Sequence, residues 1–226
     1  MLGLFKGLVL PPDFRIPGTA IYLKPPADHD FTAWAALRQA SRDFLVPWEP
    51  SWPRDALTKA NWRRRLRHYA EEWHDATSYS FLAFRAADDA LLGGITLSNV
   101  RRGVAMTGTI GYWIGAPYAR QGIMTDGVGA MLRFAFDELG LHRVEAACLP
   151  SNTASRRLLS KCGFREEGYA AQYLKINGLW EDHVLFALLA SERNQRAAQA
   201  CPASTDKVER AMPSLANAWS HLVPRS

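Results

Sequence analysis

The stretch from Gly111 to Phe164, GYWIGAPYARQGIMTDGVGAMLRFAFDELGLHRVEAACLPSNTASRRLLSKCGF, decides the fold. It predicts a strand, a glycine-bearing turn, an amphipathic helix, a second strand and an Asn-started helix. Over Gly122–Leu139, Met124, Val128, Met131, Leu132, Ala135 and Leu139 recur at helical spacing as one apolar stripe, and Gly140 is the stop signal. The run His142–Leu149 alternates, with Val144, Ala146 and Cys148 on one face and Glu145, Ala147 and Leu149 on the other. Pro150 ends it. Ser151 or Asn152 can cap a helix reaching about Lys161, which Gly163 stops. Each helix start exposes backbone N–H groups without intrahelical partners, and the helix dipole adds positive potential there, so the segment reads as an anion cradle. Gly122 lets the chain approach a ligand closely, and a pyrophosphate is the natural guest. Asp126, slightly deeper, can favour the helix N-terminus without occupying the anion's place.

Working outward, alternation in Thr19–Lys24 predicts a first strand, and Asp30–Phe44 patterns as a helix. The turn-rich VPWEPSWP ends at Pro53. From about Asp55 to Asp75 an amphipathic helix carries Trp62, Leu66, Tyr69 and Trp73 at spacings that favour core over ligand contact. Strand runs at Tyr79–Arg85, Leu91–Val100 and Thr107–Ile114 form an antiparallel meander. Two closing strands occupy Phe164–Leu174 and Trp180–Leu188, joined at Asn177 and Gly178. The expected division is an N-terminal arm over residues 1–18, one domain over 19–191, and a mobile tail over 192–226, whose last residues LVPRS partly resemble a protease-site scar.

The chain has 226 residues, 48% of them apolar, which is enough for one substantial core. Its three cysteines, Cys148, Cys162 and Cys201, lack metal-ligand spacing, and their odd number without a secretion signal fits a reducing, cytoplasmic setting. Cys148 and Cys162 read as buried apolar thiols. No metal site is expected, and no apolar run reaches membrane-spanning length. A formal charge of +5 suits acidic partners, including the ribosome or a polyanionic cofactor. Arg63–Arg67 (RRRLR) and Arg101–Arg102 are the densest basic spots, each a solvated surface or a docking face.

The words GYWIG, YARQGIM, FAFDELGLHRVEA and PSNTASRRLLSKCGF resemble the GNAT superfamily of acyl-CoA-dependent N-acetyltransferases over nearly all of Thr19–Ser191. LVPWEP, QGIM and EGYAAQYLKINGLWEDHVLFAL are similar to the ribosomal-protein-alanine N-acetyltransferase branch. The resemblance implies a single α+β domain: a mixed, mostly antiparallel sheet, splayed at the acyl-CoA site and flanked by helices. It implies acetyl-CoA as cosubstrate, with loop amides of Ala119–Thr125 (Arg120, Gln121, Gly122, Ile123, Met124 and Thr125) on the pyrophosphate. Trp113, Ile114 and Gly115 would pair with the pantetheine. Ala119 and Met124 depart from the usual loop pattern, and Arg120 can supply the missing cationic contact. It leaves open whether the protein works as a monomer or a homodimer.

Some relatives place a glutamate base and a tyrosine acid where this chain has Ala147 and Leu159. The branch resemblance implies Ser155, in the phrase NTAS, as the partner of the CoA sulfur, with ordinary helix-start polarity as the alternative, and Asn152 either caps the helix or bonds the pantetheine. Glu145, about 6.6 Å along the strand from position 147, could act as base through a water. Glu49, Trp48, Tyr173, Asp182 and His183 are rival contacts to the amine. The absence of a strong base suits an N-terminal amine, because a lysine costs about 3.5 kcal/mol more to deprotonate at the same pH. The acceptor expected first is a protein N-terminus of the ribosomal-protein alanine type. A small amine such as an antibiotic, polyamine or amino acid is the alternative, and a non-catalytic CoA-binding or ribosome-docking module is the third reading.

Overall fold

The computed structural model of the chain describes residues 14–193. The 1–13 part of the expected arm and the 194–226 part of the expected tail, with Cys201, lie outside them. In chain order the elements are β1 (Ile16–Pro17), β2 (Ile21–Lys24), α1 (Phe31–Ala40), α2 (Arg42–Leu45), α3 (Lys59–His74), β3 (Tyr79–Arg85), β4 (Leu91–Arg101) and β5 (Thr107–Ile114). Then follow α4 (Ile123–Arg133), β6 (Arg143–Cys148), α5 (Thr153–Lys161), β7 (Arg165–Ile176) and β8 (Leu179–Leu189). Ile16 and Pro17, assigned to the arm from sequence, instead pair with Leu23 and Tyr22 as an edge strand.

The eight strands form one sheet in the order β1-β2-β3-β4-β5-β6-β8-β7. Every neighbouring pair is antiparallel except β5 and β6. Those two pair only over Thr107↔Arg143, Gly108↔Val144 and Thr109↔Glu145, and then part. The sheet therefore opens beyond the third rung, with α4 feeding one side of the opening and α5 leaving the other.

Alternation along the strands sorts side chains onto two faces. Leu23, Phe81, Ala83, Ile95 and Ile110 point to the large cluster that contains Val128, Met131 and Leu132 of α4 and Leu159 of α5. Tyr22, Leu82 and Phe84 point the other way, to a smaller cluster with Trp34 and Trp62. The aromatic stripe expected on α3 is split between the two: Trp62 packs at a tilt against Trp34 at 4.6 Å, while Trp73 packs edge-on against Tyr79 and Phe81.

The helix expected over Asp30–Phe44 breaks at Ser41, whose buried hydroxyl accepts the N–H of Ala116 at 2.9 Å. The long helix after Gly122 keeps α geometry to Arg133 and widens into a π-turn over Phe134–Glu138, burying Phe134, Ala135 and Phe136. Gly140 then adopts φ +64°, the left-handed conformation of a helix stop.

Candidate functional site

Two helix starts and one unpaired strand edge converge at the opening. Gly115 donates its N–H to Leu92 O at 2.8 Å, and its carbonyl accepts from Tyr118 N–H at 2.9 Å. Antiparallel pairing alternates, so Trp113 and Gly111 also turn their backbone groups toward β4. Tyr112 and Ile114 are left presenting N–H and C=O to the open edge. Of the sequence-expected Trp113, Ile114 and Gly115, only Ile114 turns its backbone groups to this edge, and Tyr112 does so beside it, whereas Trp113 and Gly115 face β4.

At the loop, Arg120 (φ +64°) and Gly122 (φ +78°) are both left-handed, which swings the chain into α4 with its amides forward. Gly122 O accepts from Thr125 N and Asp126 N. The N–H groups of Gln121, Gly122, Ile123 and Met124 find no acceptor among the described residues. A Cβ built on Gly122 would meet nothing within 4 Å, so there is open space beside the chain at the helix start. Four convergent donors, a helix dipole and open space fit a pyrophosphate. Thr125's amide, expected to join them, is already spent on Gly122 O. The Gln121 side chain braces the loop through Pro117 O at 3.0 Å, and the Met124 side chain is buried in the core, so both residues offer only amides.

Asp126 has a different task from the one its position suggested. Its carboxylate accepts from Thr19 N and Ala20 N, each at 2.8 Å, latching the β1–β2 turn onto the first turn of α4.

Across the opening, Asn152 caps α5 by accepting Ser155 N–H on Oδ1 at 3.0 Å. The Ser155 hydroxyl lies 2.7 Å from the Tyr112 hydroxyl. Burial pushes the Tyr112 phenol well above its ordinary value of 10.0, so it stays protonated. Burial likewise raises the Cys148 thiol, against a smaller opposing effect of the neighbouring Ser155, and pushes Cys162 up to about 11. Leu159 is a fully buried packing residue.

The carboxylates singled out from sequence are all engaged. Glu145 accepts from Arg143 Nε at 2.9 Å and lies 4.0 Å from Arg101, at the last rung where β5 and β6 still pair. Glu49 takes a bidentate pair from Arg38 at 2.8 and 2.6 Å and a third bond from Trp52 Nε1. Asp182 accepts from Tyr169 Oη at 2.6 Å and from Gln172 N; the Tyr169 bond holds its carboxyl below the usual range. His183 is buried, with Nδ1 2.9 Å from Glu181 O and its ring 5.8 Å from that of half-exposed Tyr173.

On the α1/α3 face a cavity of about 390 Å³ reaches β5, bounded by Trp34, Arg38, Glu49, Trp52, Tyr69 and Trp113. Arg38 is stacked between Trp52 and Trp113 at 4.3 and 4.8 Å. Trp48, Tyr173, Asp182 and His183 do not line this space. Sequence reasoning missed Tyr112 and Arg38, although Tyr112 sat inside the most informative stretch, as one more alternating residue of a strand. Two of the four arginines in the basic run on α3 have acidic partners, Arg63 with Asp28, which also takes Lys59, and Arg64 with Asp55.

Residues 20–165 match the model of the acetyltransferase (GNAT) domain. The chain belongs to that family. It is an acetyltransferase with acetyl-CoA as acyl donor. It is 35% identical over 162 residues to the [ribosomal protein uS5]-alanine N-acetyltransferase of Escherichia coli, covering 71% of this chain and 84% of that one. It is 37% identical over 180 residues to "Probable N-acetyltransferase YjcK" of Bacillus subtilis, covering 80% and 99%. Among solved structures, Mycobacterium smegmatis RimJ in complex with CoA-disulfide superposes with a TM-score of 0.74 at 32% identity, over 82% of this chain and 91% of that chain. Among the described residues no helix is long and apolar enough to cross a membrane.

Proposed function

We propose that this protein transfers the acetyl group of acetyl-CoA to the α-amino group of a protein N-terminus, with a ribosomal protein as acceptor. The observation that carries the acceptor class is the engagement of Glu49, Glu145 and Asp182 in hydrogen bonds or ion pairs. With these carboxylates already engaged, the acceptor that asks least of the site is an amine already largely neutral near pH 8. An α-amino group, with a pKa of about 7.7–8.0, meets that condition, whereas a lysine near 10.4 costs about 3.5 kcal/mol more. The uS5-alanine and RimJ relatives support the same class, and the formal charge of +5 suits docking on an RNA-rich particle.

In this reading the amides of Gln121–Met124 bind the pyrophosphate, and the Tyr112 and Ile114 edge pairs with the pantetheine amides. Asn152 holds the first turn of α5, which sets Ser155 beside the sulfur. The acceptor enters through the cavity that Arg38 and Glu49 border. Holding the amine against the thioester supplies most of the acceleration, since well-oriented reactants gain roughly 7–11 kcal/mol.

The test is incubation with labelled acetyl-CoA and peptides beginning with Ala, Ser or Met, beside an N-blocked peptide with an internal lysine. Label on the free N-termini is expected. Label confined to lysine, or to small amines offered in parallel, overturns the acceptor assignment.

A further inference from the structure

The contact between Tyr112 Oη and Ser155 Oγ bridges the opening in the sheet, joining β5 to the first turn of α5 at 2.7 Å. Both partners are held from behind. Ser155 is fixed through its backbone N–H on Asn152 Oδ1, and the Tyr112 ring packs against the large cluster. A serine hydroxyl has one hydrogen to give. If it pointed at Tyr112, nothing would remain for a sulfur lying beyond it. The buried phenol keeps its own proton, so it can be the donor of the pair, filling a lone pair of Ser155 Oγ and leaving the serine hydrogen free of Tyr112, with the buried Cys148 thiol as its other neighbour in the protein.

The geometry points to Tyr112 as a positioning residue for acetyl transfer: its hydroxyl donates to Ser155, which aims the serine O–H at the leaving sulfur. This rests on the acetyl-transfer reading above. As the amine nitrogen forms its bond to the acetyl carbon, the carbon–sulfur bond breaks and its electron pair stays on sulfur. The hydrogen bond from Ser155 stabilises that thiolate, and donation from Tyr112 strengthens it, because hydrogen bonds in series polarise one another. The amine's proton leaves to water, and the thiolate is neutralised from water. Neither hydroxyl loses its proton, and the atoms balance without another reactant.

Tyr112→Phe keeps the ring and its packing and removes only the hydroxyl. The expected result is about a tenfold fall in kcat, with KM for acetyl-CoA and the melting temperature within error of the parent. Ser155→Ala falls further, and the Tyr112→Phe/Ser155→Ala double variant matches Ser155→Ala alone, because the phenol acts only through the serine. A parental kcat in Tyr112→Phe, or multiplicative losses in the double variant, overturns the inference. The ratios are read with whichever amine the parent protein acetylates. An acceptor other than a peptide N-terminus thus refutes the N-terminal reading and still tests Tyr112. Calorimetric CoA binding without turnover of any amine overturns both.

Discussion

Replacing Gly122 with alanine separates backbone strain from ligand contact. Gly122 has φ +78°, and a Cβ there meets nothing within 4 Å. The fold therefore loses only the left-handed penalty, about 1 kcal/mol, or roughly 2–4 °C in a domain of this size. Gly140 is a matched control, with φ +64° and the same free surroundings, but it lies at the far end of the helix region. Gly140→Ala should lose the same few degrees and bind CoA normally. In Gly122→Ala the new methyl occupies the space into which the amides of Gln121–Met124 project, so an anion can no longer close to hydrogen-bond distance. Losing even one charge-assisted hydrogen bond, about 1.5–3 kcal/mol, weakens CoA roughly tenfold to a hundredfold. Isothermal calorimetry with CoA and with pantetheine, which lacks the pyrophosphate, reads the difference: the deficit should appear for CoA and vanish for pantetheine. Equal CoA affinity in both variants would refute the assignment of the cradle.

Asp126→Ala unlatches the β1–β2 turn and removes three short carboxylate contacts; a loss of about 2 kcal/mol is expected, seen as a melting point lower by roughly 6 °C, and an unchanged melting point would contradict the latch. Glu49→Gln weakens the hold on Arg38 at the cavity wall, so acceptor KM should rise several-fold while CoA affinity in calorimetry stays put; a shift in CoA affinity instead would place the pair on the donor side. Burial raises Cys162 from 9.0 to about 11. Between those values the folded chain binds more protons than the unfolded one, so this contribution to stability is complete below pH 9 and lost as pH rises through 11. Urea midpoints at pH 8 and pH 10.5 should converge in Cys162→Ala relative to the parent, and parallel losses in the two proteins would show that the thiol is not the titrating group.

Most of the architecture was legible because each element carries its own local signal. The meander follows from period-two runs, α4 from a long stripe between Gly122 and Gly140, and the cap of α5 from Asn152. What escaped was made by contacts between distant residues. Tyr112 and Ser155 are 43 positions apart, and a tyrosine in an alternating strand gives no hint that its hydroxyl finds a serine across a gap. The same holds for Arg38, which in sequence is one more charge on an amphipathic helix and in space neutralises Glu49. Which backbone groups of β5 face the opening depends on the phase of its ladder with β4, so Trp113 and Gly115 could not be told from Tyr112 and Ile114. The two-residue β1 was hidden because Ile16 and Pro17 acquire strand character only by pairing with β2.

Ion pairs gather where the sheet opens. At the last rung, Arg143 donates to Glu145 and also grips both oxygens of Glu167 on β7, which ties β6 to the outer hairpin where β5 departs. The pairs β6–β8 and β7–β8 continue past that point, to Cys148↔Val184 and Ile176↔Leu179, so the outer three strands stay paired beyond the fork while β5 stays with β4. Glu145 thus has a cationic neighbour at each oxygen, Arg143 at Oε1 and Arg101 at Oε2, and sits within this set of ion pairs rather than apart from it.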